Sequence, residues 1–201
     1  MKTLFSILAL AFVPAVMAGT ATTASSTDSR YSWEVAAVYN HGLTDINKCY
    51  PSPSIDTYGL DVTGLYNVKG NHYATLRFSY AFGDQCGYEL NNFAIMPGYR
   101  YVSPVAEKWT VFAGANLGLG ISMLDYPGMH GSDYAISSGD DMANIVYSVE
   151  VGTSYAVTPN LNIVGALMLN GGTSPFGGAT YSGASEEQVS YGVRLGVGGK
   201  F

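Results

Sequence analysis

Chemistry needs reactive groups held close together, and this 201-residue sequence offers few of them. His130-Gly131-Ser132 is the single His-x-Ser in the chain. There an imidazole could take the proton of a hydroxyl nucleophile, but the motif stands in a Gly-rich stretch, where a histidine is more often simply hydrated. Asp133, Asp140 and Asp141 lie close by. Several carboxylates in one loop could hold Ca²⁺, which prefers oxygen ligands, yet their spacing fits no Ca²⁺-loop pattern, and an acidic loop is ordinarily just solvated. His41 has no evident partner, and His72 opens an alternating segment at the level where interfacial residues stand. Gly171-Gly172 and Gly177-Gly178 precede no helix that could receive a phosphate. With 9 Lys+Arg against 15 Asp+Glu, the chain has no basic footprint for nucleic acid. We expect no catalytic residues, no metal site and no cofactor.

Six charges are more informative because they fall in the middle of patterned segments: Glu34, Asp61 and Glu150 against Arg77, Arg100 and Arg194. Each segment alternates apolar and polar residues with period two, the mark of strands with two unlike faces. The alternation recurs over residues 31–40, 57–68, 72–83, 92–102, 109–122, 145–155, 161–170 and 189–201. Eight strands is an even number and enough to close a barrel. The connections alternate as well, roughly 15, 8, 21 and 16 residues after the odd strands against about 3–6 after the even ones. Gly70-Asn71, Ser103-Pro104 and Thr158-Pro159-Asn160 mark the short turns. An up-and-down meander puts all the long loops at one end.

Composition decides which face points outward. Charged residues are only 12% of the chain, about half the usual share of a soluble domain. Apolar content of 47% excludes disorder, and two cysteines exclude a disulfide-dense scaffold. A soluble ligand-carrying barrel, or a soluble sandwich with a Tyr-rich core, would turn its apolar face inward and cover the other with Lys and Glu. Here the second face is Gly, Ser, Thr, Asn and Ala, which suits a narrow, filled lumen. The apolar face carries Val, Leu, Ile and Ala mid-strand and aromatics at strand ends, among them Tyr31, Trp33, Tyr39, Tyr58, Tyr99, Tyr101, Trp109 and Tyr155. Two aromatic girdles around an apolar belt are what a barrel in lipid shows. The fold expected is an all-β, closed antiparallel up-and-down eight-stranded transmembrane β-barrel.

The first 18 residues read as an export signal. Lys2 is followed by the apolar run 4–13, too short for the roughly 20 residues a membrane helix needs, and Val16 and Ala18 suit a cleavage site. Residues 19–30 are small and polar and read as a flexible lead-in to the barrel of residues 31–201. No cysteine follows Ala18, which disfavours a lipoprotein.

Over residues 31–201 the chain resembles the small outer-membrane β-barrel superfamily of Gram-negative bacteria, the opacity-protein, OmpX-like and OmpA transmembrane-domain types. The most specific element is the last strand, in which Tyr191, Val193, Leu195 and Val197 alternate toward a terminal Phe201. In that family such a strand looks like the signal read by the outer-membrane assembly machinery; Gly199 departs from it where an apolar residue is usual. Pro97-Gly98-Tyr99-Arg100-Tyr101 and the run 112–118 are also similar to strands of this group. Unlike OmpA itself, the chain is expected to carry no periplasmic domain after Phe201. The resemblance implies a monomer in outer-membrane lipid, with four extracellular loops that carry any contact with an extracellular ligand or an envelope-supporting role. It also opens two alternatives, a lipid A deacylase-like enzyme and a small pore. Barrel-shaped deacylases present their His and Ser on a lipid-facing strand, whereas His130 and Ser132 fall in a loop. Omptin-type proteases need a larger barrel. Six mid-strand charges facing inward would have to pair with one another, since a lone buried charge costs several kcal/mol. Cys49 and Cys86 fall after strands one and three, on one side of such a barrel, and in an oxidising compartment they are expected to form a disulfide; two unpaired thiols are the alternative.

Overall fold

Strict alternation with Val, Ile, Tyr and Thr at the alternating positions leaves helix no amphipathic face to bury, and among the described residues the regular structure is strand. The structure, a computed structural model, describes residues 30–42, 56–85, 88–125, 140–173 and 188–200. They form β1 (Tyr31–Gly42), β2 (Asp56–Lys69), β3 (His72–Gln85), β4 (Tyr88–Pro104), β5 (Trp109–Asp125), β6 (Asp140–Thr158), β7 (Leu161–Thr173) and β8 (Gln188–Lys200). Every neighbour pairs antiparallel, and β1 pairs with β8 to close the barrel. A closed sheet has no edge, so every strand has ladder partners on both sides.

The register fixes the shape. From Ser32, paired residues lead through Leu65, Thr75, Gly98, Asn116, Ser148, Asn170 and Ser190 back to Gly42, ten residues farther along β1 than the start. For eight strands that stagger corresponds to a tilt of about 40° to the barrel axis, with an interior just wide enough for side chains to fill.

The short connections lie at one end. Gly70 turns β2 into β3 with φ 58°, a left-handed conformation suited to a two-residue hairpin, and Asn67 donates from Nδ2 to its carbonyl at 2.7 Å. At the next turn the amide of Val105 donates to the carbonyl of Trp109 at 3.0 Å. Bulges between Asn67 and Lys69 and between Ala156 and Thr158 add twist beside two of these turns. The opposite end departs from the lengths read in the sequence. Instead of an eight-residue loop after strand three, β3 runs on to Gln85 and β4 begins at Tyr88. Asp140 and Asp141, expected in the third loop, belong to β6 and pair with Leu124 and Met123. These strands continue beyond the apolar belt, where polar residues hide the alternation.

The barrel is inverted relative to a soluble one. Its exterior carries the exposed apolar residues, with Leu117, Leu119, Leu167 and Leu195 at 60–70% exposure, while the fully buried large side chains include Arg77, Arg100, Arg194 and Glu150. Tyr31–Tyr66 and Trp109–Tyr155 pack at the turn end, and Tyr39–Tyr58 and Tyr80–Phe93 at the loop end, with ring centroids 4.6–5.2 Å apart. The two girdles bracket the aliphatic belt. Gly199 leaves a gap in the outer face of β8 that its β1 neighbour Trp33 fills, since a Cβ built at Gly199 would lie 2.9 Å from the indole ring.

Candidate functional site

Inward-facing positions from all eight strands meet in the lumen, which is stratified along the barrel. At mid-height the register brings Glu34, Asp61, Arg77, Arg100, Glu150 and Arg194 together, none of them more than 6% exposed. Glu150 is the hub. Its Oε1 accepts from Arg100 Nε at 3.0 Å and from Nη2 at 2.6 Å, and its Oε2 accepts from Arg77 Nη2. Arg194 Nη1 stands 3.6 Å from the same Oε2. Glu34 bridges two of the same arginines, accepting from Arg100 Nη1 at 2.6 Å and from Arg194 Nη2 at 2.8 Å. Charge-assisted bonds of this length are about twice as strong as neutral ones.

Asp61 is held more loosely. Its Oδ2 lies 3.6 Å from Arg194 Nε and 3.8 Å from Arg77 Nε, and its Oδ1 has no hydrogen bond. Three carboxylates and three guanidiniums leave the layer without net charge, which is the condition for carrying ions in a closed interior.

Neutral side chains complete the layer, and the pattern of charges alone did not point to them. Arg77 Nη1 donates to Ser148 Oγ at 3.1 Å and approaches Met168 Sδ at 3.8 Å, Arg194 Nη2 donates to Thr63 Oγ1 at 3.1 Å, and Arg100 lies over the Phe112 ring at 4.3 Å. Their inward parity was available in the sequence; their height in the barrel needed the register. Toward the turn end Phe112, Val164 and Ala166 form a buried apolar cluster against Val102. Toward the loop end lies a cavity of about 180 Å³, lined by residues including Asn40, Asp61, Arg77, Asn92, Asn170 and Met168. Asn170 donates to Asn40 Oδ1 at 2.9 Å, and Asn40 donates to Thr57 Oγ1 at 3.2 Å.

Other residues singled out in the sequence stand elsewhere. His41 does have a partner. It faces outward at the loop end, with Nδ1 at 2.6 Å from Asp56 Oδ1, while Tyr39 donates to Asp56 Oδ2 at 3.1 Å. His72 lies at the turn-end girdle against Tyr99 and Tyr101. Tyr191, Val193, Leu195 and Val197 are exposed on the outer face of β8. Phe201, Cys49, Cys86, His130, Ser132 and Asp133 lie outside the described residues, as do residues 1–29.

A closed barrel of eight antiparallel strands, apolar outside and ionic within, has the fold of the small outer-membrane β-barrels. Comparison with solved structures gives the same fold. Neisserial surface protein A (NspA) superposes with a TM-score of 0.64 at 16% identity, over 86% of this chain and 98% of that one. Ail, the attachment invasion locus protein of Yersinia pestis, solved with the heparin analogue sucrose octasulfate, gives 0.51 at 10% identity over 86% and 99%. The outer membrane enzyme PagL gives 0.51 at 14% identity over 82% and 97%. The sequence matches no family model and no curated relative.

Proposed function

We propose that this chain is a monomeric outer-membrane protein whose lumen is closed to through-passage and whose specific work is done at the loop end. That work is contact with an extracellular ligand or surface, or mechanical support of the envelope. The observation that carries this reading is the stacking of two filled layers: the six-residue ionic network, and beneath it the Phe112, Val164 and Ala166 cluster. A solute crossing the barrel would have to break buried charge pairs, at about 3–5 kcal/mol for each charge left alone. The network carries no net charge that would favour ions of one sign. The heparin analogue bound by Ail is consistent with ligand contact as a use of this fold, although the likeness is one of fold alone.

The same reading makes the chain non-enzymatic. The exposed apolar belt implies outer-membrane lipid as its surroundings, and the outward residues Tyr191, Val193, Leu195 and Val197, with Phe201, serve as the segment recognised by the assembly machinery. Export proceeds through a signal peptide cleaved after Ala18, and Cys49 and Cys86 form a bridge between the segments that follow β1 and β3. Single-channel recording in planar bilayers tests the closed lumen; large, stable currents would overturn it. Pull-down with host and envelope components, comparing the intact protein with versions trimmed in residues 43–55, 126–139 and 174–187, tests the loop end. Capture that survives all three deletions would remove the loop-end assignment. Loss of lipid A deacylation on His130→Ala would replace the whole reading with the enzymatic one.

A further inference from the structure

We propose that the turn end of the barrel selects anionic phospholipid, which it holds through Lys69, Lys108 and Lys200 beside the aromatic girdle. The inference rests on the lipid setting read from the apolar belt, and it names the kind of lipid favoured at one end of that belt. Charge is shared unevenly between the two ends. Of the 9 Lys and Arg in the chain, Arg77, Arg100 and Arg194 lie in the ionic layer, whereas Arg30, Lys69, Lys108 and Lys200 stand at the turn end. Glu107 is the one acid there among the described residues. The strand ends at the loop end hold Asp56, Asp84, Glu89, Asp125, Asp140 and Asp141, with no Lys or Arg among the described residues. An anionic headgroup is attracted at the first end and repelled at the second.

Each of the three lysines is exposed, and no salt bridge engages any of them among the described residues. Each also adjoins apolar surface at the level of the girdle. Lys69 follows the exposed Val68 and pairs with His72, whose ring centroid lies 5.3 Å from that of Tyr101. Lys108 precedes the exposed Trp109, which packs at 4.9 Å against Tyr155. Lys200 pairs with Ser32 and follows Gly199, the gap that Trp33 fills. That juxtaposition selects an amphiphile. A lysine stem lies along apolar surface while its amine stays at headgroup level, and aromatic residues mark that level. A soluble anion would leave the apolar neighbours uncovered, and a zwitterionic headgroup would offer a phosphate already shared with its own cation. A phospholipid of net negative charge meets both conditions. One lysine near an anionic surface is worth about fivefold in binding.

The chain has 2 tryptophans, and each stands beside one of these lysines, Trp109 next to Lys108 and Trp33 across the ladder from Gly199, next to Lys200. The full chain is reconstituted in phosphatidylcholine vesicles containing brominated phosphatidylcholine or brominated phosphatidylglycerol. Quenching of tryptophan fluorescence then measures which lipid lies against the turn end, whichever way the barrel inserts. Phosphatidylglycerol should be favoured about fivefold at about 0.02 M salt, and most of that preference should vanish at about 0.5 M, where the Debye length is short. With Trp33→Phe in place, Lys108→Gln should bring the preference read by Trp109 close to parity, whereas Lys200→Gln should leave it. With Trp109→Phe in place, the two lysine substitutions should exchange roles. A protein with both Trp→Phe changes and Tyr58→Trp reads the loop-end girdle, and there phosphatidylcholine should be favoured. If a variant fails to insert, the salt dependence of the unaltered protein decides the matter. Equal quenching by the two lipids at low salt overturns the proposal and leaves the barrel in lipid. So does a preference that salt leaves unchanged, one that survives both lysine substitutions, or one equally strong at Tyr58→Trp. Quenching by neither lipid overturns the lipid setting and the proposal with it.

Discussion

Replacing Glu150 with alanine removes the carboxylate on which three arginines converge. Glu150 accepts from Arg100 Nε and Nη2 and from Arg77 Nη2, with Arg194 Nη1 at 3.6 Å. Three charge-assisted bonds at about 1.5–3 kcal/mol each bound the loss at roughly 9 kcal/mol. Rearrangement of the arginines and entry of water into the vacated space reduce it. The expected cost is about 3–5 kcal/mol, the range found when one partner of a buried ion pair is removed and the other is stranded. In reversible urea unfolding from lipid vesicles, with a slope of about 2 kcal/mol per molar, the midpoint should fall by roughly 2 M. Glu107→Ala, at an exposed turn position, should move it by no more than about 0.25 M on the same slope, since surface substitutions stay within about 0.5 kcal/mol. Asp61→Asn should fall between the two, because the arginine nitrogens nearest to Asp61 are 3.6 and 3.8 Å away. A Glu150→Ala shift no larger than that of Glu107→Ala would refute the hub assignment. So would a larger effect from Asp61→Asn than from Glu150→Ala.

Gly199→Val should cost about 1–3 kcal/mol, because the new side chain meets the Trp33 ring and the Asn160 carbonyl, and the penalty should shrink in a Trp33→Ala background. Urea midpoints of the two single variants and the double variant measure that coupling. Protein purified without reductant should show no alkylatable thiol by mass spectrometry, with Cys49 bonded to Cys86 and a stabilisation of about 3–4 kcal/mol on the chain-entropy account. Two free thiols would dismiss the bridge. Phe112→Ala should destabilise by about 3–5 kcal/mol, since the ring fills the apolar layer and also lies under Arg100. A midpoint shift under about 0.5 M urea would show that the layer is not tightly packed.

Facing was legible in the sequence and height was not. Period-two alternation decides which side of the sheet a residue takes, so Leu119 and Arg194 could be assigned to opposite faces without knowing any neighbour. Which charges meet depends on strand offsets. Arg100 and Glu150 are 50 residues apart in the chain, and Arg194 and Glu34 are 160 apart. Two bulges and a ten-residue stagger bring them to one level, and no local pattern encodes that sum. Strand ends blurred for a related reason. The sequence reads Asp84-Gln85 at one strand end and Asp140-Asp141-Met142 at the other, so the extension of β3 on to Gln85 and of β6 back to Asp140 carries no apolar–polar alternation. Phe112, Val164 and Met168 were hidden differently, as apolar residues on the polar face, where only a closed lumen gives them something to pack against.

The ionic layer bears on where function can reside. A barrel in lipid gains little from apolar contact between its own strands, because lipid tails are as apolar as its exterior. Its cohesion comes from the closed hydrogen-bond ladder and from whatever fills the lumen. Here the filling is a network in which Glu150 and Glu34 each hold at least two arginines, so removing any of the five residues takes an ionic partner from at least one other. Such a layer constrains the inward-facing strand positions that build it. The six residues of the network all lie within strands, so the segments joining β1 to β2, β5 to β6 and β7 to β8 contribute none of them. Under the closed-lumen reading, a barrel sealed at mid-height by a neutral ionic layer is a support, and its capacity to recognise anything outside the membrane rests with what it carries at the loop end.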